Sequence, residues 1–153
     1  MKAVKKFSVG HLEIESKDGA IIWIKKTDNK LTEDTDDVIE ECIKQLNEYF
    51  DGKRTEFDFP ISYDYGTPFQ QEVWDALREI PYGEVISYKE LAKRVRTEHH
   101  SRAVANANGK NPISIIVPCH RVIESSGGLG GYSSGLDMKR SLLKLEDIEL
   151  QKK

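Results

Sequence analysis

The order of apolar and polar residues divides the chain into a strand-patterned start and a helix-patterned remainder. Residues 3–9 are short and mixed, and His11-Leu12-Glu13-Ile14-Glu15 alternates with the period of two that half-buries a strand. Lys17-Asp18-Gly19 is a turn signal, and Ala20 to Ile24 is an apolar, β-branched run. A small antiparallel sheet over residues 3–26 follows from this pattern. Residues 34–50 set Val38, Ile39, Cys42, Ile43, Leu46, Tyr49 and Phe50 three to four apart, which predicts an amphipathic helix with Gly52 as its stop. Residues 53–66 have no clear period and read as a linker.

Helical signals dominate from residue 67. Thr67-Pro68-Phe69-Gln70 has the form of a capping box, with proline at the first helical position. The helix it opens runs to about Ile80, with Phe69, Val73, Trp74 and Leu77 on its apolar face. Ser87-Tyr88-Lys89-Glu90 has the same form and opens a helix over 88–95. A turn at 97–101 and a second helix over about 101–109 complete a helix-turn-helix, which Asn111-Pro112 ends. Ile113 to Val117 is an apolar run with the look of a buried strand. A glycine-rich loop at 125–132 and a short helix at 137–146 follow. The expected fold class is α+β. A small N-terminal antiparallel sheet plus helix (1–60) precedes a mainly helical C-terminal domain (67–150) with a winged-helix-like helix-turn-helix.

Charge sharpens the division. The net charge is only −3. From Asp28 to Asp58 eleven acids face four bases, whereas from Val85 to Ile123 seven bases face two acids. Such asymmetry points to nucleic-acid contact by the second half. No run of about 18 apolar residues provides a membrane span, and the first residues lack a signal peptide's apolar core. Two cysteines without such a signal fit a reducing cytosol with both thiols free. Cys42 falls on the apolar stripe of its helix and needs no chemistry. His99-His100 reads as solvated surface, and no Cys/His spacing suits zinc. The glycine-rich loop lacks a Gly-Lys-Ser/Thr ending, so it is no phosphate cradle.

The sharpest chemistry is Val117-Pro118-Cys119-His120-Arg121. A lone cysteine after an apolar run is most often a small core residue. Here His and Arg stand beside it, and a neighbouring cation favours the thiolate, which is the nucleophile.

Together these residues resemble the O6-alkylguanine-DNA alkyltransferases, also called methylated-DNA–protein-cysteine methyltransferases. The resemblance is carried by Pro118-Cys119-His120-Arg121-Val122-Ile123, Arg102-Ala103-Val104, Asn111-Pro112, Gly130-Gly131-Tyr132-Ser133 and Pro81-Tyr82-Gly83-Glu84-Val85 with Ser87-Tyr88. It covers residues 67–146 strongly, and the N-terminal part by size and order. It implies a cofactor-free repair protein of double-stranded DNA, bound by the minor groove. An O6-alkylguanine is flipped into a pocket, and its alkyl group passes irreversibly to Cys119, once per molecule; O4-alkylthymine is the poorer substrate. His120 would be the base acting through a water, Glu146 its orienting partner, Asn111 the brace of the turn, and Tyr88 the donor to the leaving guanine. Val122, Tyr132, Ser133, Ser114, Gly130 and Gly131 would form the base pocket. Arg102 would fill the gap in the stack, with Ala103, Ala105, Asn106, Ser87 and Tyr88 against the DNA. Arg121 reads as a structural ion-pair partner. A free monomer in the cytoplasm, nucleoid-associated in a prokaryote, is expected.

Two departures stand out. Ala105-Asn106 replaces the glycine common after Arg102-Ala103-Val104, and Ser114 replaces a second proline. The second predicts that benzyl groups are held less well than methyl. The competing readings are a non-repairing binder of alkylated DNA, a helix-turn-helix transcription regulator and a cysteine hydrolase. Relatives of the first kind replace the cysteine, so Cys119 argues against it. A regulator lacks a dimerisation segment here, and a hydrolase would have to turn over.

Overall fold

A computed structural model describes residues 1–148, so residues 149 and 150 of the expected C-terminal domain lie outside the described residues. The chain forms two compact units that divide after Asp64.

In the first unit β1 (Lys2–Phe7), β2 (Gly10–Lys17) and β3 (Ala20–Lys26) form an antiparallel sheet in that order. Leu12, Ile14, Ile22 and Ile24 are buried in it. Helix α1 (Asp37–Phe50) packs on β2 and β3 with Ile39, Cys42, Leu46 and Tyr49 buried. Asp36 caps its N-terminus by accepting from the Ile39 N–H at 2.8 Å. Gly52, at φ 75°, follows the last turn in the left-handed conformation that glycine tolerates best.

The expected linker is partly a strand partner. Ile61 bridges to Ile21 in parallel, through the Ile21 N–H to Pro60 carbonyl bond (2.9 Å) and the Ser62 N–H to Ile21 carbonyl bond (3.0 Å). Phe57, Phe59 and Ile61 do alternate with polar residues or proline, but over too few positions to stand out. The segment covers backbone that β3 would otherwise expose at the sheet edge.

The second unit opens with α2 (Pro68–Leu77), and both bonds of the Thr67–Gln70 capping box are made. The helix stops three residues before the predicted Ile80, where a tighter turn takes over (Ile80 N–H to Leu77 carbonyl, 3.0 Å). Helix α3 (Tyr88–Val95) is capped by Ser87, but its predicted box is half made: the Glu90 carboxylate accepts from Arg94 instead. A single 3-10 turn at Glu98–His100 leads into α4 (Ser101–Gly109). Helix α2 packs on both, and the buried Trp74 indole N–H donates to the Ala107 carbonyl at 2.8 Å. Strand β4 (Ile86–Ser87) pairs in parallel with β5 (Val122–Ile123), and α5 (Leu136–Leu145) is the last element among the described residues. The architecture is α+β.

Residues 113–117 correct the sequence reading: they form a buried tight turn, not a strand. The Val117 N–H returns to the Ile113 carbonyl (3.0 Å), and the Ile116 N–H to the Ser114 carbonyl (2.9 Å) around Ile115 at φ 75°. The latter is a γ-turn of the rare, strained kind, and a β-branched residue at that φ is an outlier. The run is flanked by Pro112 and Pro118, which lack an N–H for a ladder. Periodicity cannot tell such a buried run from a strand.

Candidate active site

The tight turn delivers Cys119. Around Pro118 (φ −81°, ψ 65°) the Cys119 N–H donates to the Val117 carbonyl at 2.8 Å, an inverse γ-turn. Cys119, His120 and Arg121 then make one 3-10 turn that buries all three side chains. Asn111 ties the two ends of this segment together. Its Nδ2 donates to the Val117 carbonyl at 2.7 Å, and its Oδ1 accepts from the Ile113 N–H at 3.0 Å.

Behind the cysteine lies a buried polar cluster centred on Glu146, the C-cap of α5. Its carboxylate accepts from His120 Nε2 at 2.7 Å, from Arg121 Nε at 2.8 Å and Nη2 at 3.1 Å, and from the Gly83 N–H at 3.2 Å. Arg121 also donates to the Ile80 carbonyl at 2.7 Å. A carboxylate can only accept, so the proton between it and His120 sits on Nε2. That makes Nδ1 the ring's acceptor, and this atom is buried without a hydrogen bond in the protein. Burial holds the His120 pKa below its ordinary value of 6.5; the Glu146 bond and charge oppose this, and Arg121 and Lys139 reinforce it. The imidazole is therefore a neutral base with its free lone pair turned away from Glu146.

Beside this cluster is a cleft of about 710 Å³, lined among others by Tyr88, Arg102, Asn108, Gly130, Tyr132 and Ser133. The β4–β5 pairing sets Ser87 opposite Ile123, which brings the start of α3 to the segment that follows Cys119. Burial raises the Tyr88 pKa, and the nearby Cys119 and Glu124 charges add to this against a Gly131 N–H bond to the phenol. Tyr88 thus stays protonated and able to donate. Gly130, at φ 72°, lies against it: a Cβ there would stand 2.7 Å from the Tyr88 hydroxyl oxygen. Tyr132 is half-buried, with its hydroxyl enclosed near Ser114 and Cys119; burial first, and then Cys119, hold its pKa well above the phenol range.

The predicted residues fall into three groups. Cys119, His120, Glu146, Asn111 and Ser114 come together in the interior, and Tyr132 reaches them from the cleft wall. Tyr88, Arg102, Ala105, Asn106, Gly130, Gly131 and Ser133 line the cleft. Ala103 and Ser87 are in neither group: Ala103 is exposed on α4, and the Ser87 hydroxyl accepts from the Glu90 N–H. Cys119 is only 3% exposed. The Val122 carbonyl already accepts from Lys139 Nζ at 2.7 Å.

Sequence reasoning passed over Lys139 and Asn108. Lys139 is fully buried and also donates to the Leu129 and Gly131 carbonyls, so it pins the glycine-rich loop to β5. Burial lowers its pKa to about 8, against the Cys119 and Glu124 charges. A signal existed: Lys139, Leu142, Leu143 and Glu146 share one stripe of α5 at helical spacing. Asn108 lies on the buried face of α4 with Val104 and Ala107, and its Nδ2 is 3.5 Å from the Cys119 carbonyl oxygen.

Comparison with known proteins identifies the family. Residues 68–148 match the 6-O-methylguanine DNA methyltransferase DNA-binding domain, and residues 2–63 match the ribonuclease-like domain of the same proteins. The chain is 51% identical over 113 residues to the methylated-DNA–protein-cysteine methyltransferase of Methanosarcina acetivorans, covering 74% of this chain and 72% of that protein. It is 56% identical over 105 residues to the Mycobacterium tuberculosis protein of that name, covering 69% and 63%. The crystal structure of Mycobacterium tuberculosis OGT in complex with DNA superposes with a TM-score of 0.85 at 42% identity, over 95% of this chain and 91% of that one. The O6-methylguanine-DNA methyltransferase of Pyrococcus kodakaraensis gives 0.62 at 27%, over 97% and 100%. With both halves matched and the Cys-His-Glu cluster in place, the chain belongs to the methylated-DNA–protein-cysteine methyltransferase family.

Proposed function

We propose that this protein repairs duplex DNA by moving the alkyl group of O6-alkylguanine onto its own Cys119, once per molecule. The observation that carries the reading is the buried neutral His120. Its Nε2 is fixed by Glu146 and its buried Nδ1 carries no hydrogen bond within the protein, on the residue next to the thiol. His120, acting through a water, takes the thiol proton. The sulfur forms a bond to the alkyl carbon as the carbon–O6 bond breaks, and the electron pair leaves with the guanine. Tyr88 donates a hydrogen bond to that developing charge. The proton taken by His120 passes through water to the departing guanine, which returns the imidazole to its neutral form. The guanine thus ends with one proton more, the cysteine with one fewer, and the transfer balances without a cofactor. The thioether is stable, so the protein is spent.

Reaching a base inside a duplex requires flipping it out, at a cost of a few kcal/mol. Arg102 is exposed on α4 at the cleft, and in this reading it fills the gap in the stack. Minor-groove docking carries little sequence information, which suits a search for damage in any sequence. O4-alkylthymine is the poorer substrate in this reading.

Incubation with a duplex containing O6-methylguanine, followed by intact-mass measurement, tests the proposal. The expected result is a gain of one methyl group per chain that Cys119→Ala abolishes. An unchanged mass on a folded protein rejects alkyl transfer and leaves the family's DNA binding without repair.

A further inference from the structure

We infer that Asn108 reads the base: its side-chain oxygen accepts a hydrogen bond from the exocyclic amine of the flipped guanine. This rests on the alkyl-transfer reading above. Asn108 is 4% exposed and lines the cleft together with Tyr88, Gly130 and Tyr132. The Cys119 carbonyl can only accept, so the amide turns its Nδ2 towards it, at 3.5 Å. The other end, Oδ1, is buried and has no hydrogen-bond partner in the protein.

Buried polar atoms nearly always have a partner, and one left without is costly. An apolar side chain of the same shape would avoid that cost, and the buried α4 neighbours Val104 and Ala107 are apolar. The oxygen therefore fits a partner that arrives with the ligand and carries an N–H. Alkylation at O6 removes the proton from ring N1 of guanine. The exocyclic amine is then the one donor left on the base's pairing edge, whereas the ring nitrogens accept. Tyr88, kept protonated, suits those acceptors, and Asn108 Oδ1 suits the amine. The two residues together supply one donor and one acceptor, the polarity the base needs.

The test compares wild type and Asn108→Leu on two duplexes that differ in one base. One carries O6-methylguanine and the other O6-methylhypoxanthine, which lacks the amine. Wild type should react faster with the guanine, and Asn108→Leu should cut that preference by roughly three- to tenfold, the worth of one neutral hydrogen bond. The ratio is taken within one preparation, so partial misfolding cancels. Should the leucine variant not fold, Asn108→Ala is compared in the same way. An unchanged ratio, or a wild type indifferent to the amine, overturns the inference. A wild type that methylates itself from neither duplex overturns the alkyl-transfer reading instead.

Discussion

At the scale of single residues, Glu146 determines most of the site. It neutralises the buried Arg121 guanidinium and fixes the His120 tautomer with the same two oxygens. Removing its charge strands Arg121, and an uncompensated buried charge costs about 3–5 kcal/mol. Glu146→Gln should therefore lower unfolding free energy by about that amount in urea titrations. A loss under about 1 kcal/mol would mean the cluster is more hydrated than its burial implies. Asn111→Ala should cost about 1–3 kcal/mol, since the Ile113 N–H is left buried and unpaired. The cysteine was legible in the sequence because Pro-Cys-His-Arg puts unusual residue types side by side. Asn108 was not, because it is ordinary in sequence and acquires meaning from the carbonyl group that folding brings to it, and for Lys139 the helical stripe marks burial but not the carbonyls it holds.

At the scale of elements, the helices were readable because their signals are local. Thr67 with Gln70 and Ser87 with Glu90 mark both starts, although the second box is completed on one side only. The turn at 113–117 was not readable. Its hydrogen bonds run to its own carbonyls and to Asn111, and no period in the sequence encodes that. The glycine-rich loop illustrates how an element serves the site. Gly130 must be glycine, both for its φ of 72° and because Tyr88 fills the space beside it. Gly130→Ala should displace the Tyr88 ring and slow alkyl transfer at least tenfold, with little change in duplex affinity measured by fluorescence anisotropy. Equal loss of binding would place Gly130 in the DNA contact. Helix α4 makes the complementary case. Arg102→Ala should slow reaction with duplex DNA far more than with a free O6-alkylguanine analogue, and equal losses would remove Arg102 from base flipping.

At the scale of the whole molecule, the acidic stretch 28–58 falls in the first unit and the basic stretch 85–123 in the second. The cleft and the thiol lie in the second unit. Protonation state links site and stability. The folded pKa of His120 lies below its ordinary 6.5, so the fold prefers the neutral ring. That contribution is complete above pH 6.5 and is lost as pH falls from there towards the lower folded value. Thermal melts should show stability falling below pH 6.5 more steeply in wild type than in His120→Gln, and parallel curves would show that His120 does not drive the loss.

The central claim is that Cys119 accepts one alkyl group and then stops. Limiting protein mixed with excess duplex carrying radiolabelled O6-methylguanine tests it in one time course. Label on protein should plateau at one methyl per chain, all of it on the peptide that contains Cys119. Label transferred beyond one per chain, or found on another residue, would contradict it.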